Sequence, residues 1–204
     1  MKKLVLTVAA VFAFGFANAQ EKNESSEGFS KGDVFVTGAL TFGSQKTGDF
    51  KVNTFELAPS VGYFVSENIA IGATVGFQSL KADNGAVDAT NSGTSFGAFG
   101  RYYFTPASKF SVFAELGFDY TTTDTEFDAN DGDVFASSFE TKELGLGLGA
   151  GINYFVSSNF AIEAGLGVLG YSSNDNGGDG AEKTNSFGFG GDWRAVTFGV
   201  NYKF

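Results

Sequence analysis

Apolar residues recur at every second position through most of this chain, and its last ten residues, Ala195-Val-Thr-Phe-Gly-Val-Asn-Tyr-Lys-Phe204, do so without a fault. Val196, Phe198, Val200, Tyr202 and Phe204 fall on one face, and Thr197, Gly199, Asn201 and Lys203 on the other. Successive side chains of a β-strand point to opposite faces, so a period of two specifies a strand with one apolar side. Seven earlier segments carry the same signal. Their apolar faces read Val34, Val36, Leu40, Phe42; Phe55, Leu57, Val61, Tyr63, Val65; Ile69, Ile71, Ala73, Val75, Phe77; and Phe96, Ala98, Tyr102, Phe104. Then come Phe110, Val112, Ala114, Leu116, Phe118, Tyr120; Leu144, Leu146, Leu148, Ala150, Ile152, Tyr154; and Phe160, Ile162, Ala164, Leu166, Val168. Eight strands are expected, with nothing helical between them.

The connections alternate in length. Residues 66–68, 105–109 and 157–159 are tight turns, whereas the polar stretches near 44–51, 81–92, 123–139 and 173–185 read as long loops. An internal repeat fixes the phase: Gly62-Tyr-Phe-Val-Ser-Glu-Asn-Ile-Ala-Ile71 and Asn153-Tyr-Phe-Val-Ser-Ser-Asn-Phe-Ala-Ile162 are close copies. Tyr63, Tyr102, Tyr154 and Tyr202 thereby close alternate strands at one height, as an aromatic girdle at a membrane–water interface would.

A cylinder with such strands is either a soluble barrel, apolar inside, or a membrane barrel, apolar outside. The second face decides. It reads Ala70, Gly72, Thr74, Gly76, Gln78 in the third segment and Glu143, Gly145, Gly147, Gly149, Gly151, Asn153 in the sixth. Small residues suit a cramped lumen and not a water-exposed surface, so the apolar face is read as outward. A mixture of 29 Gly and 25 Phe with only two Pro fits the same arrangement. Two local exceptions are expected: a bulge or break at Pro59, which cannot donate to a ladder, and, because Asp192 and Arg194 share parity with the lipid face, either their placement in the headgroup region or a bulge at Gly190-Gly191 that resets the register.

The N-terminus has the three parts of a secretory signal: Met1-Lys-Lys, an apolar run over 4–16, and Ala17-Asn-Ala19. Cleavage is expected after Ala19. Residues 20–32 read as a flexible periplasmic lead-in and 33–204 as the barrel. No apolar run approaches the roughly 18 residues of a membrane-spanning helix.

The terminal strand resembles the last strand of bacterial outer-membrane β-barrels. That resemblance implies that Phe198, Val200, Tyr202 and Phe204 form an assembly signal read by the barrel-assembly machinery, after passage by periplasmic chaperones. The whole pattern resembles the small OmpA- and OmpX-like outer-membrane proteins. It implies an all-β fold, an eight-stranded antiparallel up-and-down transmembrane β-barrel in a Gram-negative outer membrane, expected as a monomer with outer-membrane lipid as its surroundings.

Function is less local. The chain has no His and no Cys, which removes Ser-His and Cys nucleophiles and His general bases, and no enzyme activity is expected. Net charge is −10, so nucleic acid is excluded as a partner. Asp124, Glu126, Asp128, Asp131 and Asp133 crowd one stretch, but the spacing is not that of a calcium-binding loop; no metal or cofactor is assigned. The inward acids Glu56, Glu115, Asp119, Glu143 and Glu163 face Arg101 and Lys203. Phe35, Phe64, Phe99, Phe113, Phe155 and Leu169 also point in, so a filled lumen is expected. Centring the hairpins on their turns puts Glu56 opposite Gln78, Asn153 opposite Glu163, and Arg101 diagonal to Glu115. The function expected is structural or surface-interacting (adhesion or envelope integrity) through the long loops, the alternative being a narrow channel for ions or small solutes.

Overall fold

Each alternating segment forms a strand. The computed structural model describes residues 27–129, 137–177, 180–190 and 196–204. In order these carry β1 (Val34–Thr47), β2 (Phe50–Phe64), β3 (Ile69–Asp83), β4 (Val87–Tyr103), β5 (Phe110–Ala129), β6 (Ser137–Phe155), β7 (Phe160–Asn174), β8 (Thr184–Phe189) and β9 (Thr197–Lys203). Neighbours pair antiparallel from β1 through β7. β8 lies along the outer half of β7 and β9 along its inner half, so together they make the eighth strand. β9 then pairs with β1 at Phe35–Gly38 and closes the cylinder.

Exposure settles which face is which. Phe42, Phe96, Phe187, Phe189 and Phe198 are 58–81% exposed, while Phe35, Phe64, Phe99, Phe113 and Phe155 are at most 8% exposed. The apolar stripe faces outward, over about eleven residues per strand. At ~3.3 Å per residue and a tilt near 40°, that length crosses the ~25 Å apolar band of an outer membrane.

The Gly-rich face exists because the lumen is filled with phenyl rings. Phe35 lies directly opposite Gly62, Phe99 opposite Gly72, and Phe113 opposite Gly151. A Cβ added at any of these glycines would fall inside the ring across from it. At these three pairs only Gly leaves room for the ring, whereas Phe64 and Phe155 face Ala70 and Ala161.

Three expectations need correction. The stretches near 44–51 and 81–92 are not long loops: β1 and β2 are joined through Gly48-Asp49, and β3 and β4 through residues 84–86. In the third stretch β5 continues to Ala129 and β6 begins at Ser137, with 130–136 outside the described residues. The fourth keeps a loop between Asn174 and Thr184, of which 178–179 lie outside the described residues. Above the membrane both faces of a strand meet water, so apolar alternation disappears while the ladder goes on. The run Thr121-Thr-Thr123 keeps the β-preference that periodicity misses.

Leu169 is the second correction. The β6–β7 register shifts between Leu148 and Gly149, so Gly149 faces Gly167 whereas Leu148 faces Leu169. One extra residue near Val168 resets the alternation, and Leu169 and Tyr171 join the outer face with Leu148 and Leu146. At Pro59 the expected break is present: the β2–β3 ladder skips Ala58 and Pro59 and resumes in the same register, without a bulge. The third correction concerns the lead-in. Residues 1–26, including the expected cleavage point, lie outside the described residues, but Gly28 and Phe29 are buried in the barrel mouth while Glu27, Lys31 and Gly32 are exposed. Asp192 and Arg194 also lie outside the described residues; next to them Gly190 has φ +135°. Thr197 faces Gly165 while Phe189 faces Leu169, so the eighth strand changes register against β7.

Candidate functional site: the luminal plug and the outer rim

The short turns define one end of the barrel, and the chain before β1 folds back into it. Phe29 is wholly buried at the centre of Phe35, Phe64, Tyr103 and Phe155, with ring centroids 4.8–5.5 Å away. Its N–H donates to Pro106 O at 2.7 Å, and the Gly32 N–H to Phe64 O at 2.9 Å. Lys203 Nζ donates to Gly28 O at 2.5 Å and lies 4.0 Å from Asp33 Oδ2. Gly28 has φ +96°, and a Cβ there would strike the backbone of Pro106 and Ala107, so this entry point requires Gly. Outside, Glu27 accepts from Lys109 Nζ at 3.0 Å and raises the lysine's pKa; this exposed pair adds little to stability.

Above the rings sits a charged layer. Arg101 is directly opposite Glu115, not diagonal to it. The hairpin pairs Tyr103 with Phe113, so it centres on Ser108 and not on the midpoint of 105–109. Ser111 Oγ draws the turn in, lying 2.8 Å from Thr105 O, 3.1 Å from Pro106 O and 3.2 Å from Ser108 O. Arg101 Nε donates to Glu115 Oε2 at 2.5 Å. Its Nη1 and Nη2 donate to Glu163 Oε2 and Oε1 at 2.8 and 2.9 Å, a two-pronged bond across the lumen from β4 to β7. The guanidinium also lies over the Phe113, Phe99 and Phe35 rings, 4.4, 4.8 and 5.8 Å from their centroids.

Asn153 faces Glu163 as expected. It is completely buried, and its Nδ2 lies 3.5 Å from the Tyr103 hydroxyl. Asn201 on β9 donates to Glu163 Oε2 at 3.3 Å. The sequence reading missed Phe29, Asp33, Tyr103 and Asn201. Parity gives the last two; nothing marks Phe29 within a polar run.

The remaining inward groups stand apart from this layer. Glu56 faces Gln78 as expected. Glu143 accepts from Asn174 Nδ2 at 3.2 Å, and Asp119 lies over Gly145. Between the charged layer and the outer end is a cavity of about 330 Å³ lined by Arg101, Glu115, Asp119, Glu163 and Thr197. Among the described residues no three His, Cys, Asp or Glu side chains are grouped to hold a metal.

On the outer face, Tyr63, Tyr102 and Tyr154 are each 46–49% exposed near the short turns. Tyr202 packs edge-on against Phe160 and Phe204 at 4.9 and 4.8 Å. Phe198 and Val200 share that face, opposite Ala164 and Ile162. The Phe204 N–H donates to Val34 O at 3.0 Å, tying the last residue to the first strand. At the opposite rim the outward positions turn acidic: Asp88, Asp124, Glu126, Asp128 and Glu140 follow one another on β4, β5 and β6. Asp124, Glu126 and Asp128 are therefore strand residues and not part of a loop.

Comparisons agree with the geometry. Residues 6–204 match the model of the outer membrane protein beta-barrel domain. No curated protein sequence matches the chain. Among solved structures, a major outer membrane protein from Thermus thermophilus is similar over 84% of this chain and 98% of its own (TM-score 0.54, 14% identity). The outer membrane protein OprG from Pseudomonas aeruginosa is similar over 88% and 99% (TM-score 0.50, 17% identity). Ail, the attachment invasion locus protein of Yersinia pestis, solved with the heparin analogue sucrose octasulfate, is similar over 85% and 99% (TM-score 0.50, 15% identity). At these identities the likeness is one of fold. The match to the family model spans nearly the whole sequence, and the chain belongs to the outer membrane protein beta-barrel domain family.

Proposed function

We propose that this outer-membrane barrel is a non-conducting envelope protein that acts structurally or by surface contact at its outer rim. The observation that carries this reading is the plugged lumen. Phe29 and four rings fill the short-turn end, and Arg101 spans the bore above them to Glu115 and Glu163. A solute would have to break a buried, paired guanidinium out of that layer, and a broken buried pair costs about 3–5 kcal/mol. The working surface is then the polar extension of β3 to β6. Its acidic column on β4 to β6 favours cationic partners over sulfated ones such as the analogue bound by Ail.

The same reading assigns the exposed tyrosines to the inner membrane–water interface and the Phe198–Phe204 pattern to the barrel-assembly machinery, with chaperone passage after signal cleavage following Ala19. It gives the protein no enzymatic role. A narrow channel is the second reading, favoured by the cavity of about 330 Å³ above the plug. It requires Phe29 to withdraw.

Complementation tests the first reading. Cells lacking the protein should gain detergent sensitivity or lose surface adhesion, and a variant with Asp124, Glu126 and Glu140 made neutral should insert normally yet fail to restore adhesion. Loss of solute uptake as the sole defect would favour the channel.

A further inference from the structure

The hairpin joining β3 to β4 turns on Asn84-Gly85-Ala86, where the polar atoms are arranged for a reaction of the chain on itself. The N–H groups of Ala86 and Val87 both donate to Asn84 Oδ1, at 3.0 and 2.8 Å. Two donors on one carbonyl oxygen draw electrons from Cγ and stand where negative charge collects if that carbon is attacked. The following residue supplies the attacker. The Gly85 N–H donates to Asp83 Oδ1 at 2.7 Å, so a carboxylate is already placed to take the proton that must leave. Gly85 has φ +85° and no side chain to crowd its nitrogen. Asn84, Gly85 and Ala86 are exposed, and water reaches them.

We propose that Asn84 is a deamidation site built into this outer hairpin. The Gly85 nitrogen bonds to Asn84 Cγ, and its proton passes to the Asp83 carboxylate and on to the departing amide nitrogen. The Cγ–Nδ2 bond breaks, ammonia leaves, and a five-membered succinimide remains. Water adds to one of its two carbonyls and the ring opens to aspartate or its isoaspartyl isomer. The product adds a negative charge beside Asp83 and Asp88, which already face each other across β3 and β4. Like charges so placed repel, which loosens the tip.

Asn176-Gly177 is the same dipeptide and serves as an internal comparison. The Gly177 N–H also meets a carboxylate, Asp175 Oδ1, at 3.2 Å. There the amide nitrogen that must leave is held instead: Asn176 Nδ2 donates to Glu182 O at 2.8 Å and to Thr184 Oγ1 at 2.7 Å. The sequence ranks the two sites alike, and the structure separates them.

The test is peptide mapping by mass spectrometry of the refolded full chain, held in detergent at mildly alkaline pH and followed for conversion of amide to acid. Asn84 should convert about tenfold or more faster than Asn176 while the barrel is folded, and the two rates should converge in urea. Asp83→Asn should slow Asn84 by a similar factor and leave Asn176 unchanged. Equal rates at the two sites in the folded parent would overturn the proposal, and so would a folded Asp83→Asn variant that converts as fast as the parent. If that variant fails to fold, the comparison within the parent decides.

Discussion

Arg101 is the residue on which the lumen turns. It is 7% exposed and serves two carboxylates on different strands. Arg101→Met should leave Glu115 and Glu163 facing each other among phenyl rings and lower the unfolding free energy by about 3–5 kcal/mol. The triple variant Arg101→Met, Glu115→Gln, Glu163→Gln should recover much of that loss, because the costly product is the unpaired buried charge. Urea unfolding in lipid measures both, and additive effects of the three changes would show that the groups are not coupled. The Arg101–Glu115 contact was legible from sequence because both side chains face inward on one hairpin, although centring on the midpoint of 105–109 made them diagonal where they are directly opposite. Glu163 was not, since it meets Arg101 across the bore, at a distance set by barrel diameter. Phe29 was hidden for a different reason: one aromatic in a polar run has no periodicity to report it.

Among the elements, β7 departs furthest from its sequence pattern. Strict alternation turns Leu169 inward, but the extra residue near Val168 turns it out. Spin labels at 166 and at 169 should both be reached by lipid-borne quenchers; a label at 169 that responds only to aqueous quenchers would restore the unbroken pattern. The Gly–Phe pairs make a second prediction. Gly62→Ala places a methyl inside the Phe35 ring and should cost about 1–3 kcal/mol. Gly43→Ala meets only the Thr54 Cβ at 4.0 Å and should be close to neutral. Equal denaturation midpoints for the two variants would contradict the ring-over-glycine packing. At the outer end, Asp175 accepts from the Lys142 N–H at 2.7 Å and from that of Gly177 at 3.2 Å. Those bonds lower its pKa, so its contribution is complete above the ordinary carboxylate range and is lost as pH falls through the lowered value. Amide exchange at Lys142, corrected for its intrinsic pH dependence, should therefore lose protection only on the acid side. The existence and faces of the strands were legible because lipid demands an unbroken apolar stripe. Their outer ends were not, because water on both sides removes the stripe without ending the ladder.

As a whole, the molecule is a barrel closed at one end by its own leading segment and prolonged at the other as polar sheet. The terminal strand ties both ends of the chain together, with Phe204 bonded to Val34 and Lys203 holding Gly28. Deleting Phe204 should therefore reduce the yield of folded protein in outer membranes far more than neutralising Asp124 and Asp128, as scored by heat-modifiable mobility after cell fractionation. Eight strands leave an interior that side chains can fill, and here Phe29, Phe35, Phe64, Tyr103 and Phe155 fill it completely at the short-turn end. Conductance of the refolded protein in a planar lipid bilayer tests that closure most directly. The parent should show no steady current above the bare bilayer, while Phe29→Gly combined with Arg101→Ala should leak; a parent that opens into a stable, ion-conducting state would contradict the plugged barrel.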